Sequence, residues 1–219
     1  MKGRRCRAGL VGRSTGRYPS RMPKPLIFLA SASPRRSELL RQIGIDHEVR
    51  AVEVDETRRS RESATAYVAR LAETKARALW DELPEVERRP VLGADTTVTL
   101  DGEIFGKPHG ASSARAMLGR LSGRTHEVHT AVALVCTHGV ELRLCSSTVR
   151  FRRLTDAELD WYCTSNESVD KAGGYAIQGR AAVFVSHLAG SYSGVMGLPL
   201  CETWELLAPI LAARDAPAP

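Results

Sequence analysis

The sequence predicts an α/β protein, a mixed sheet flanked by helices with a cleft where its loops meet. Short apolar runs alternate with helix-period segments early in the chain, and the middle reads as one long antiparallel hairpin. No internal repeat and no Pro/Ser linker separates two domains. With 219 residues, 43% hydrophobic and 26% charged, the length suits one domain or two small lobes. Collagen-like, low-complexity and disordered classes are excluded by the same proportions.

Leu26-Ile27-Phe28-Leu29-Ala30 is a brief apolar run bounded by turn formers, hence a buried strand. Ser33 then Pro34 is a helix start, Ser as N-cap and Pro at the first helical position, and the helix runs to about Ile43 before Gly44. A strand over 47–52 and an acidic loop follow. Tyr67, Val68, Leu71, Ala72, Ala76 and Leu79 recur at helical spacing and predict a long helix over 63–83. Residues 90–100 read as a central strand, Asp101-Gly102 as a hairpin turn, and 103–105 as its return. Ser112 is expected to cap a helix over 114–121. From 125 to 151 the alternation fits two long antiparallel strands meeting at His138-Gly139. Thr155 with Glu158 three residues on is a capping box. A Gly-rich loop (171–175), a strand (183–188), a Gly/Ser loop and a closing helix (198–212) complete the chain.

The charge is unevenly placed. Lys and Arg number 31 against 25 Asp and Glu, net +6, yet 1–21 hold seven of the basic residues (Lys2, Arg4, Arg5, Arg7, Arg13, Arg17, Arg21) and no acid. From Met22 onward 24 basic residues face 25 acidic ones, so the body has no surplus to bind nucleic acid. The Arg-rich, Ser-containing extension has no signal-peptide core. It overlaps in composition with transit peptides, and reads otherwise as a disordered extension or as translation assigned upstream of Met22. No stretch of 18 apolar residues occurs, which excludes a membrane-spanning helix. Five cysteines (Cys6, Cys136, Cys145, Cys163, Cys201) without a CxxC pair read as free thiols of a reducing cytosol, although Cys136 and Cys145 flank a hairpin turn and are candidates to face each other. His126 and His129, three apart in a strand, point to opposite faces and are expected to be structural.

Several residues break local rules. Arg35 and Arg36 occupy a first helical turn, where the macrodipole disfavours cations by about 0.3–1 kcal/mol each. A phosphate chain resolves the conflict, since helix N–H groups, the hydroxyls of Ser31 and Ser33 and two guanidinium groups form an anion cradle at the end of a buried strand. Solvent-facing arginines are the alternative. Glu53, Asp55 and Glu56 crowd one loop, and Asp95 interrupts an apolar strand, where a carboxylate is costly unless paired or bound to a cation. Lys75 and Lys107 complete a set suited to metal-assisted phosphoryl or nucleotidyl chemistry with Mg²⁺ or Mn²⁺. GxxxxGK[ST] and GxGxxG are both absent, so P-loop ATPases and dinucleotide dehydrogenases fit poorly.

Leu29-Ala30-Ser31-Ala32-Ser33-Pro34-Arg35-Arg36, Val54-Asp55-Glu56, Lys75-Ala76, Gly93-Ala94-Asp95-Thr96, Gly106-Lys107-Pro108, Leu121-Ser122-Gly123, Asp170-Lys171-Ala172-Gly173, Ile177-Gln178-Gly179 and Gly197-Leu198-Pro199 occur in the order seen in Maf proteins. The chain thus resembles these nucleoside triphosphate pyrophosphatases over about 26–207. The resemblance implies an inosine-triphosphatase-like fold, with an elongated mixed sheet, two lobes and a deep cleft, usually in a homodimer. It implies hydrolysis of a nucleoside triphosphate to the monophosphate and pyrophosphate with a divalent cation, in the cytoplasm, with no nucleic-acid or membrane partner. By motif, Asp95 and Glu56 correspond to catalytic and metal-associated acids, and Ser31, Arg36, Lys75 and Lys107 to triphosphate-binding positions. Arg36, Thr96 and Gln178 match specificity positions of the dTTP/UTP branch; a Gln amide carries both the donor and the acceptor that a uracil or thymine edge requires. The expected organisation is a basic extension (1–21), a Maf-like domain (22–213) and a short tail (214–219). Two alternatives stay open: a pyrophosphatase for another nucleotide such as 7-methyl-GTP or CTP, and a non-enzymatic division regulator.

Overall fold

A computed structural model describes residues 26–165 and 167–215. The expected extension over 1–21 and the thiol of Cys6 lie outside the described residues. Seven strands form one mixed sheet in the order β2-β1-β3-β5-β6-β7, with β4 paired to β3. The strands are β1 (Ile27–Ala30), β2 (His47–Val49), β3 (Val91–Leu100), β4 (Glu103–Phe105), β5 (Thr125–Cys136), β6 (Gly139–Phe151) and β7 (Val185–Ala189). β1 pairs parallel with β2 and β3, while the remaining ladders are antiparallel. The helices are α1 (Pro34–Gln42), α2 (Ala64–Glu82), α3 (Ala111–Leu121), α4 (Asp156–Cys163), α5 (Tyr192–Met196) and α6 (Leu200–Asp215). Among these described helices, none is long and apolar enough to cross a membrane.

β3 is buried along nearly its whole length, as expected of a central strand, and its alternating side chains enter two different cores. On one face Val91 packs with Phe28, Ala30, Ala131 and Ala133 beneath Val68, Ala72 and Ala76 of α2. On the other, Leu92 and Ala94 pack with Val132, Leu134, Leu39, Leu40, Leu206 and Leu207. Beyond these, Val98, Leu100, Phe105, Leu118, Phe151, Tyr162 and Phe184 form a further core built on α3 and α4. β3, β5 and β6 run through both ends, which makes two lobes on one continuous sheet.

Several expectations are corrected in detail. β2 stops at Val49, after which only the Arg50 N–H still bonds to the Leu29 carbonyl, at 3.0 Å. α3 begins at Ala111 with Gly110 as N-cap, and not at a Ser112 cap. Gly110 has φ 121°, ψ 179°, a conformation that favours glycine and starts the helix earlier. The expected Gly/Ser loop after β7 contains α5, capped by the Ser191 side chain accepting from Gly194 N–H at 3.0 Å. Ser33 occupies the N-cap of α1 but makes no side-chain cap; its N–H instead donates to Ser31 Oγ at 3.2 Å. The capping box of α4 is present as read, with both reciprocal bonds between Thr155 and Glu158.

The β5–β6 register overturns the facing-thiol expectation. A two-residue turn at Thr137-His138 pairs Cys136 with Gly139, which puts Cys145 opposite Thr130. Cys136, Cys145, Cys163 and Cys201 are all free. His129 is satisfied by Ser146 Oγ at 2.8 Å, and His126 Nε2 by the Tyr175 hydroxyl at 2.8 Å, while the buried His126 Nδ1 has no hydrogen-bond partner. Tyr175 is thereby a core residue packed edge-on against Phe151.

Candidate active site

One cleft of about 1360 Å³ opens between the lobes, lined from one side by Ser31, Arg36, Lys75 and Asp95 and from the other by Lys171, Ala176 and Gln178. Its geometry follows from how closely α2 lies on β3. Gly93 has no side chain, and Ala72 and Ala76, four apart on α2, are the smallest chiral residues. A Cβ added at Gly93 would come within 2.2 Å of the Ala72 carbonyl oxygen and 2.8 Å of the Ala76 N. Gly93 sits between Ala30 of β1 and Ala133 of β5, so the surface under α2 is flat across three strands. Two residues further on, Asp95 emerges on that same face. Lys75, one residue before Ala76, reaches over the strand and places Nζ 2.7 Å from Asp95 Oδ1.

Lys75 Nζ also lies 2.6 Å from Glu56 Oε1, so one ammonium joins carboxylates from two separate elements. Lys107 approaches the far oxygen of Glu56 at 3.7 Å. The acidic loop does not hang freely: the Tyr67 hydroxyl donates to the Glu56 carbonyl at 2.9 Å, and Arg70 bonds both Thr57 O and the Glu62 carboxylate. Of the three loop acids, only Glu56 lines the cleft. Asp55 accepts from Thr57 N–H in an Asx-turn that shapes the loop, and Glu53 is outside the cleft lining. The sequence offered no signal for Tyr67 and Arg70 as loop anchors, because Tyr67 reads as one more apolar position at helical spacing and Arg70 breaks no local rule.

The two acids titrate in different directions. Burial pushes the Asp95 carboxyl above its ordinary value and prevails over the nearby charges of Lys75 and Arg36. Burial also opposes ionisation of Glu56, but there the bond and charge of Lys75, with Lys107 beside it, outweigh burial and hold the carboxyl below its ordinary value. Two carboxylates with opposed environments are the usual basis for separate acid and base roles.

Arg36 is more committed than a loose phosphate ligand. Its Nη1 donates to Ser31 Oγ at 2.9 Å, Nη2 to Thr96 Oγ1 at 3.3 Å, and Nε to the Gly197 carbonyl at 2.8 Å. Arg35 Nε donates to Met196 O at 3.3 Å. The two cations at the start of α1 therefore lie on the carbonyls ending α5, where a helix terminus carries partial negative charge. Neither simply projects into solvent, and Ser31, Arg36 and Thr96 form one hydrogen-bonded cradle. Gly197, at φ 121°, has a backbone that favours glycine, and a Cβ there would sit 3.6 Å from both Arg36 Nε and Thr96 Oγ1. Of the three residues expected to set specificity, Arg36 and Thr96 are bonded to each other, whereas Gln178 stands on the cleft wall contributed by 169–178 and makes no bond to that pair.

Residues 26–210 match the Maf-like protein family. The chain belongs to that family. Relatives include the "dTTP/UTP pyrophosphatase" of Alkalilimnicola ehrlichii, 54% identical over 187 residues, which cover 84% of this chain and 92% of that protein. The proteins of the same description from Nitrosospira multiformis and Methylococcus capsulatus are 51% and 54% identical, covering 83% of this chain and 92% and 89% of theirs. The Staphylococcus aureus Ham1 protein superposes with a TM-score of 0.46 at 12% identity, over 86% of this chain and 99% of that one.

Proposed function

We propose that this Maf-family chain hydrolyses nucleoside triphosphates, dTTP and UTP foremost, to the monophosphate and pyrophosphate. The observation that carries the reading is the Lys75-centred contact of Glu56 with Asp95, set in one cleft with the Ser31–Arg36–Thr96 cradle and Gln178. Relatives about half identical over most of their length, described as dTTP/UTP pyrophosphatases, support the substrate assignment.

In this reading the triphosphate lies along the start of α1, with Ser31, Arg36, Lys75 and Lys107 neutralising its charge as it builds on the departing oxygens. Asp95 takes a proton from a water that attacks the α-phosphorus. The bond from that phosphorus to the bridging oxygen breaks, and pyrophosphate leaves. Glu56 and Asp95 would hold the divalent cation. Among the described residues no cluster of three or more His, Cys, Asp or Glu is arranged for a metal; Glu56 and Asp95, brought together by the shared Lys75 ammonium, are two hard oxygen donors of the kind a Mg²⁺ site uses when substrate phosphates and waters complete it. Such a cation supplies charge neutralisation across the polyphosphate. The reading extends to a cytoplasmic homodimer whose functional unit is residues 22–213; the four free thiols support the reducing compartment.

A panel of dTTP, UTP, CTP, GTP and 7-methyl-GTP, with Mg²⁺, with Mn²⁺ and without metal, tests the proposal by release of pyrophosphate. Preference for dTTP and UTP is expected. No turnover of any triphosphate overturns the enzymatic reading, and preference for 7-methyl-GTP or CTP overturns the substrate.

Gln178→Glu removes the amide donor and leaves an acceptor. Selectivity for dTTP over 7-methyl-GTP is expected to fall about tenfold or more, the cost of one lost and one repelling contact. An unchanged ratio removes Gln178 from the specificity set.

The pH dependence follows from Asp95. As a base it must be ionised, so kcat/KM falls as pH drops through its raised pKa, and the acid limb lies above the ordinary carboxylate range. The same shift means that the folded chain binds this proton more readily than the unfolded one. Asp95 therefore costs stability above its folded pKa, and the cost is relieved as pH falls toward its unfolded value. A pH–rate profile whose acid limb lies at or below the ordinary aspartate range contradicts the assignment.

A further inference from the structure

Behind Thr96 stands a second threonine. Thr130, directly paired with Thr96 across β3 and β5, is 1% exposed. Its Oγ1 lies 3.0 Å from Thr96 Oγ1 and 2.8 Å from the Gly194 carbonyl oxygen. The Thr130 hydroxyl is the donor in both bonds, its one proton shared between the Thr96 hydroxyl oxygen and the Gly194 carbonyl. Thr96 Oγ1 also accepts from Arg36 Nη2 at 3.3 Å, so two donors converge on it and turn its own proton away from both. Thr96 thus links Arg36 to Thr130, and Thr130 links Thr96 to Gly194.

The chain closes on itself. Gly197 N–H donates to the same Gly194 carbonyl at 3.0 Å, and the Gly197 carbonyl receives Arg36 Nε at 2.8 Å. Arg36 is thus held at two corners by one turn of backbone at the end of α5, once directly and once through two threonine hydroxyls. Rotation of the Thr130 hydroxyl would leave the Gly194 carbonyl and Thr96 Oγ1 both facing a lone pair.

We infer that Thr130 is a positioning residue for nucleotide binding: it fixes the direction of the Thr96 hydroxyl and, through it, the plane of the Arg36 guanidinium. With both lone pairs taken by Thr130 and Arg36, Thr96 presents its proton to a nucleotide as a donor. The inference rests on the pyrophosphatase reading of the same cleft. Asp95 alternates with Thr96 along β3 and, with its partner Lys75, lies outside the ring.

Thr130→Val keeps the volume and removes the hydroxyl, while the Gly194 carbonyl retains the Gly197 N–H. Steady-state kinetics with dTTP and UTP are expected to show KM raised about tenfold through the misdirected Thr96 hydroxyl, with kcat changed by less than about threefold because Arg36 keeps Ser31 and Gly197 as partners. Thr130→Ser restores KM to within about twofold of wild type, because the hydroxyl alone carries the effect. Thr96→Val with Thr130→Val together is no worse than Thr96→Val alone, since one chain is cut either way. A KM for Thr130→Val within twofold of wild type, a Thr130→Ser as impaired as Thr130→Val, or additive effects in the double variant overturns the inference. Thr130→Ala, judged against Thr130→Ser by the same criterion, decides the matter where Thr130→Val does not fold. If wild-type protein turns over no triphosphate, the enzymatic reading fails; the same variants, titrated calorimetrically with dTTP, still decide the role of Thr130 by the pattern of Kd.

Discussion

Asp95→Asn is expected to lower kcat for dTTP hydrolysis by about 10²–10⁴-fold, the range for loss of a positioned general base. The amide has the size of the carboxylate and still offers an oxygen to Lys75 Nζ, so the ion-pair geometry at 2.7 Å becomes a hydrogen bond without a cavity. Lys75 keeps Glu56 at 2.6 Å as its charge partner and is not stranded in the protein interior. The thermal midpoint is therefore expected to hold or rise, since burial of the Asp95 charge is unfavourable to begin with. Pyrophosphate release and thermal unfolding on the same preparation separate the two effects. Near wild-type turnover in the presence of metal removes Asp95 from the chemistry.

Gly93→Ala is expected to be the most disruptive single methyl in the described structure. The added Cβ meets backbone, the Ala72 carbonyl at 2.2 Å and the Ala76 N at 2.8 Å, and neither can rotate away as a side chain would. Either α2 lifts from β3 or the strand bends, and overpacking of this kind costs about 1–3 kcal/mol, occasionally more. Activity should fall with stability, because the height of α2 above β3 sets the reach of Lys75 to Asp95. Gly119→Ala, in the exposed face of α3 with open space around it, is the control and should gain about 0.5–1 kcal/mol by the same chemical change. Equal effects at the two glycines, read from thermal or urea unfolding, exclude the packing argument.

Wherever an element is decided by its own local pattern, it was legible: the apolar run of β1, the helical spacing of α2, the Asp101-Gly102 turn, the Thr155–Glu158 box. Misreadings concern elements whose limits depend on neighbours. α5 hides in a Gly/Ser stretch because five residues have too little periodicity to register, and its Ser191 cap matters only once Arg35 and Arg36 cover its final carbonyls. The Cys136–Cys145 expectation failed because register depends on the turn, and a side-chain pairing shifts with each residue of loop.

Within the site, anomalies of local chemistry announced themselves. A carboxylate inside an apolar strand and two arginines at a helix start are unfavourable where they stand, and such violations are visible in one dimension. Local chemistry also singled out Glu56, Lys75 and Lys107; the family motifs assigned their roles and added Gln178. Thr130 and Tyr67 break no rule, so their parts are invisible until β5 is laid beside β3 and the acidic loop against α2. The sequence by itself determined which residue types this cleft contains and roughly where each enters the fold. Only the tertiary structure decided their partners, because ion pairs and hydrogen bonds act over about 3 Å, and the residues they join here are as far apart as Arg36 and Gly197.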